Sequence, residues 1–207
     1  AQIFVGKVFN NNPRPGAPTA SVIAGIEWAM TNRCRVASLS LGAAINQKIM
    51  QYEVPIQRAL NAGTLVVAAA GNNANRLGLP GFDPTRPPTN GFVEPPANAD
   101  AALAVAAVDS QLRIAVFSGR SSQVTGVGGK VNIAGPGVAV FSSVPVARGE
   151  HALFNGTSMA TPHVAGIAAL WAQETGESGA ALWNRLVRTA RPLSLPSVDV
   201  GTGLVQA

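Results

Sequence analysis

A serine heads an apolar run in the segment Asn155-Gly156-Thr157-Ser158-Met159-Ala160-Thr161-Pro162-His163-Val164-Ala165-Gly166. Small residues lead up to it, and the residues after it have the composition of a buried helix. A helix start leaves four N–H groups without partners and carries partial positive charge. A negative oxygen forming on a bound molecule beside Ser158 would be stabilised there. Pro162 suits a first turn, where no N–H is needed. A hydroxyl so placed can serve as a nucleophile, and it can equally be a plain N-cap.

Two other segments end in groups that could work with it. In Leu65-Val66-Val67-Ala68-Ala69-Ala70-Gly71-Asn72-Asn73 an amide follows a buried apolar run. An amide at the carboxyl end of a parallel strand points into the crevice where α/β proteins bind ligands. An Asn after Gly is also an ordinary turn residue. In Ala37-Ser38-Leu39-Ser40-Leu41-Gly42 a short apolar strand ends at a glycine. Such an end leaves backbone groups free to pair with an extended peptide, and it is also a common way to finish a buried strand.

These residues need elements to hold them, and the pattern supplies strands alternating with helices. Residues 3–9 read as a strand and 10–18 as a loop. Residues 19–31 read as a helix capped by Thr19 or Ser21. Residues 36–41 read as a buried strand, 47–62 as a helix closed by Gly63, and 64–70 as a second buried strand. This order implies right-handed crossovers and a parallel sheet. Residues 72–98, rich in Pro, Gly and Asn, predict a long surface loop. Short strands follow at 102–108, 114–118, 131–134 and 138–143, then helices at 158–173 and 179–190. No repeat or linker divides the chain, so residues 1–207 read as one domain.

Composition narrows the classes. With 47% hydrophobic and 12% charged residues, the chain can bury a sizeable core and is not disordered. The net charge of +5 invites a nucleic-acid reading. The only tight basic groups are Arg33/Arg35 and Arg185/Arg188/Arg191, and no aromatics interleave with them, so no nucleic-acid partner is expected. The apolar runs at 65–70 and 164–171 are too short to span a bilayer, so no membrane partner is expected. Cys34 stands alone, which excludes a disulfide scaffold, and no metal-ligand cluster is visible. Residues 126–131 contain Gly-Gly-Lys, but Val124 and Val131 stand where a phosphate-binding loop needs Gly and Ser or Thr.

Together the segments resemble the subtilisin-like serine proteases, the subtilase family. The segments "GIEWA", "SLSLG", "VVAAAGN", "GPGV", "NGTSMATPHVAG" and "GTGLVQA" come in the family's order across almost the whole chain. The resemblance implies that residues 1–207 are the C-terminal portion of a subtilase catalytic domain, a three-layer α/β/α fold with a mainly parallel, subtilisin-like sheet, lacking its N-terminal strands in this chain. It implies Ser158 as nucleophile, with Asn72 and the Ser158 N–H as oxyanion hole. It implies Ser40, Leu41, Gly42, Ala69, Ala70 and Gly71 as walls of the S1 pocket, Pro136 in a turn, Asn73 near the pocket entrance, and a polypeptide substrate. The small apolar walls suit an apolar P1 side chain.

The departure from the family is as informative. Subtilases need an Asp in an Asp-Ser/Thr-Gly motif and a His in a His-Gly-Thr-His motif, both upstream of the segment that 3–9 resembles. Neither motif is present: Asp83, Asp100, Asp109 and Asp199 all lie downstream in other contexts. His163 is five residues past Ser158, about 140° around the helix, and faces away. His151 lies in a polar segment without an orienting acid. The chain starts at Ala1, which together with the missing motifs predicts an N-terminal fragment or separate chain carrying Asp and His. A catalytically inactive pseudo-protease or peptide-binding fragment is the alternative. Without the missing strands, the Val5/Val8 and Val36/Leu39/Leu41 segments would present unpaired edges, and the chain alone is expected to aggregate. The resemblance implies no assigned metal; calcium is common in the family, and Asp83 or Asp100 is the candidate ligand. It also implies secretion.

Overall fold

The strand Leu65-Val66-Val67-Ala68-Ala69 is buried at every position, as a strand covered on both faces must be. Its side chains divide by the strand period of two. Val66 and Ala68 join one core with Val22, Ile26, Ile56 and Ala59. Leu65 and Val67 join another with Val164, Ala168, Leu182 and Leu186. The neighbouring strand alternates in the same way, Ala104 and Ala106 to the first core and Leu103, Val105 and Ala107 to the second.

The computed structural model describes residues 1–10, 16–122 and 129–207. Its elements are α1 (Thr19–Thr31), β1 (Val36–Leu39), α2 (Glu53–Asn61), β2 (Leu65–Ala69), β3 (Leu103–Val108), β4 (Ile133–Pro136), β5 (Val140–Ser143), β6 (His151–Phe154), α3 (Thr157–Thr175), α4 (Gly179–Thr189) and α5 (Ser197–Val200). Strands β1-β2-β3-β4 form a parallel sheet in that order, and β5-β6 an antiparallel hairpin. With α1 and α2 on one face and α3 and α4 on the other, the fold is three-layer α/β/α. No helix among the described residues is long and apolar enough to cross a membrane.

Several expectations are corrected. Residues 3–9 form no strand, and Ile3 and Val5 are 84% and 85% exposed. A strand needs a partner for its N–H and C=O groups, and β1, with β2 as its one neighbour, is a sheet edge that nothing in the described chain pairs on its outer side. Helix α1 begins at Thr19 with Pro18 as N-cap and no side-chain cap, so neither Thr19 nor Ser21 serves. Helix α2 is shorter than expected because Ile49 is extended and Met50–Tyr52 is a 3₁₀ turn. Residues 114–118 form one bridge, Val108 with Ile114, rather than a strand. There Asp109 Oδ1 accepts from the Gln111 and Arg113 N–H groups and turns the chain back. The exposed strand β6 and short α5 lack a period long enough to be read in advance.

The stretch 72–98 has no helix or strand, yet it is not wholly on the surface. Val93, Glu94, Ala97 and Asn98 are buried. Side-chain amides do the work of a sheet: Asn75 Nδ2 donates to the Asp83 and Arg86 carbonyls at 2.9 and 3.0 Å, and Oδ1 accepts from the Asp83 N–H at 3.0 Å. The loop expectation at 10–18 and the rejected phosphate-loop reading at 126–131 lie partly outside the described residues.

One buried ion pair ties this stretch to the chain's end. Arg76 Nη1 lies 2.7 Å from Asp199 Oδ1, with side-chain exposures of 7% and 6%, and Arg120 Nε lies 3.3 Å from the same oxygen. Arg76 Nη2 also donates to the Ser118 carbonyl. Removing the anion strands a buried guanidinium, so Asp199→Asn is expected to destabilise the chain by about 3 kcal/mol or more in urea unfolding. A change below about 1 kcal/mol would show that the pair is dispensable.

Candidate active site

Helix α3 starts where the sheet's strand ends meet it. Thr157, its first residue, is fully buried. The Thr157 N–H and hydroxyl both donate to Asn72 Oδ1, at 2.9 and 3.1 Å, and the Thr157 hydroxyl oxygen accepts from the Gly71 N–H at 3.1 Å. One orphan N–H of the helix start is thereby satisfied by an amide from the end of β2. The same bonds engage the amide oxygen, so Nδ2 of the exposed Asn72 remains as a donor, near Gly156 at the helix start.

A second lock joins α3 to β1. Ser158 Oγ donates to the Ser40 carbonyl at 3.2 Å, and Ser40 Oγ donates to the Ser158 carbonyl at 2.8 Å. The helical partner for the Ser158 carbonyl would be the N–H of residue 162, but Pro162 has none. Pro162 therefore lies beyond the first turn, contrary to expectation, and its missing donor leaves a carbonyl that Ser40 fills. The loop before the helix is held as well, since the Gly156 N–H donates to the Gly137 carbonyl and the Ala139 N–H to Asn155 Oδ1. Pro136 closes strand β4, and the turn follows it.

Ser40-Leu41-Gly42 and Ala69-Ala70-Gly71 lie at the ends of adjacent strands, where Leu39 is in register with Ala68. Gly71 has φ of 109°. Between the two glycines sits a residue that the sequence reading missed, Glu94. A Cβ built on Gly42 would stand 2.6 Å from Glu94 Oε2, and one on Gly71 would stand 2.5 Å from its carboxyl carbon. Glu94 is 8% exposed. Its Oε1 accepts from Asn73 Nδ2 at 2.8 Å, and Asn73 also grips the backbone of Phe92 through both atoms of its amide. Asn73 is thus a strut behind the strand ends. The available signal was one acid inside the apolar stretch Val93 to Ala97.

No imidazole reaches Ser158. His163 Nδ1 donates to the Met159 carbonyl at 2.8 Å on its own exposed helix face. His151 stacks on Phe141, with ring centroids 4.8 Å apart, in the β5-β6 hairpin. The aspartates are engaged elsewhere: Asp83 with Thr85, Asp100 with Lys48, Asp109 with Arg113, and Asp199 with Arg76. Among the described residues, no group of three His, Cys, Asp or Glu could hold a metal, so neither Asp83 nor Asp100 has such partners.

The family model described as the subtilase family matches residues 1–203. The chain is 38% identical over 194 residues to alkaline elastase YaB from Bacillus sp. (strain YaB), covering 93% of this chain and 44% of that protein. To the thermostable alkaline protease of Halalkalibacterium halodurans it is 35% identical over 208 residues, covering 100% and 50%. The structure of the S41 psychrophilic protease superposes with a TM-score of 0.77 at 27% identity, over 97% of this chain and 67% of that one. The chain spans about half the length of the first two relatives.

The Thr157 hydroxyl is the joint between β2 and α3, so Thr157→Val leaves the Gly71 N–H unpaired at unchanged volume. The expected cost is about 1–3 kcal/mol in urea unfolding, with Thr157→Ser retaining most of the stability. Equal stability of the Val variant would remove this joint from the account.

Proposed function

The chain belongs to the subtilase family, and from that premise we propose that it is the part of a serine endopeptidase that supplies nucleophile and oxyanion hole. The observation that carries this is the Asn72 amide, held by Thr157 with its N–H₂ end free beside the start of α3. In this reading the Ser158 oxygen attacks a peptide carbonyl carbon, and the hydroxyl proton passes to a base. The carbonyl oxygen takes up negative charge between Asn72 Nδ2 and the Ser158 N–H. Collapse of the intermediate expels the amine, leaving an acyl-enzyme that water later cleaves. For attack, the hydroxyl must leave the Ser40 carbonyl that it engages here.

The base and its orienting Asp belong, in this proposal, to an N-terminal segment or separate chain. Two surfaces support that: the unpaired outer side of β1, and the exposed face of α3 with Pro162, His163, Gly166 and Leu170. The absence of an imidazole at Ser158 favours a second reading, a chain that binds peptides without cutting them.

A fluorophosphonate probe and a peptide substrate decide between them. With the complete protein, the probe is expected on Ser158, and Ser158→Ala should abolish both labelling and turnover. Asn72→Leu should lower kcat about 10²–10³-fold, the loss known for removing this kind of donor in a subtilisin. Labelling at another residue, or turnover that survives Ser158→Ala, would overturn the assignment. Peptide binding without turnover would establish the second reading.

A further inference from the structure

Among the described residues, Glu94 is a buried acid without a countercharge. No Lys or Arg among the described residues forms an ion pair with it, and Asn73 supplies a neutral hydrogen bond to one oxygen. A buried acid is costly unless it is paired. The other oxygen, Oε2, is turned toward Gly42, and the carboxyl carbon lies against Gly71. The Glu94 carboxylate fills the gap that the two glycines leave, which a Cβ on either would close, and Gly71 also has the positive φ that disfavours replacement.

The gap that holds this carboxylate favours one class of neighbour in particular. Its walls are the ends of β1 and β2, the same strand ends that the Ser40–Ser158 and Asn72–Thr157 bonds fasten to the start of α3. A peptide held with its carbonyl at Ser158 would send the side chain on the acyl side of the scissile bond between those walls. An apolar side chain there would bury the carboxylate further and leave it unpaired. A long side chain with a cationic tip would lay its methylenes along the backbone of the two strand ends and bring a charge to meet Glu94.

We propose that Glu94 is the specificity-determining residue of this site and that it selects Lys or Arg at the substrate's P1 position. This rests on the endopeptidase reading above and replaces the apolar P1 expected from the strand composition. Asn73 is a positioning residue, aiming the carboxylate through its bond to Oε1 and its hold on Phe92.

Two measurements test it separately from the hydrolysis itself. The first is kcat/KM of the complete protein on tetrapeptide p-nitroanilides that differ only at P1. Lys and Arg are expected to exceed Phe by about 10²-fold, with Glu94→Gln reversing the order and Glu94→Asp retaining it. The second is fluorescence titration of p-aminobenzamidine, a small cation, against the complete protein and against its Glu94→Gln variant, with binding expected only in the first. Preference for Phe that Glu94→Gln leaves unchanged would overturn the inference and leave the endopeptidase standing. Glu94-dependent amidine binding without hydrolysis of any substrate would keep the cation slot and overturn the endopeptidase. No amidine binding to the unaltered protein would overturn the slot. Thermal melting separates an unfolded Gln variant from a selective one, and the wild-type preference decides the question without it.

Discussion

The need of one helix start for hydrogen-bond partners organises the centre of this molecule. The first N–H groups of α3 have no acceptors within the helix, and a buried N–H without a partner is expensive. Asn72 meets part of that need from the end of β2, and Thr157 returns a hydroxyl to Gly71 in the same strand end. The amide that caps the helix is therefore fixed in orientation by the capping itself. Its remaining donor end lies near Gly156, beside a helix end with positive character. Structure and chemistry share one set of bonds, so the candidate oxyanion donor needs no separate support.

The sheet explains why such a cap can be accurate. Parallel strands buried on both faces move little relative to one another, and their side chains alternate into two cores. The register of β1 on β2 sets where Ser40 stands relative to Gly71. The antiparallel β5-β6 hairpin, by contrast, is exposed along much of its length and holds the approach to Gly156 through Gly137 and Asn155.

Much of the fold and part of the site were legible in the sequence, for particular reasons. The run ending in Gly71 carries an unbroken apolar pattern that a doubly covered strand explains, whereas β1, expected to be buried, is only half-buried with Ser38 exposed; α1, β2, β3 and α4 stand within a few residues of expectation. Ser158 and Asn72 stand out because one heads an apolar helical run and the other follows a buried apolar strand. Residues 3–9 carry a strand's composition, but composition states a preference and cannot supply the partner strand. Glu94 was invisible because its burial depends on a long loop folding back over the strand ends. Three asparagine side chains, Asn73, Asn75 and Asn98, make that return, bonding backbone up to 51 residues away. Hydrophobic periodicity has no term for amides that replace a ladder.

Pro162 gives the helix a property beyond tolerance of a missing donor. An ordinary residue there would add a helical N–H donor to the Ser158 carbonyl beside the Ser40 hydroxyl. With proline in place the helix supplies no such donor, and Ser40, just past β1, holds Ser158 through both its backbone and its side chain. The Ser158 hydroxyl and the end of the edge strand are thus joined by two bonds, so a shift of that strand end would be felt at the serine.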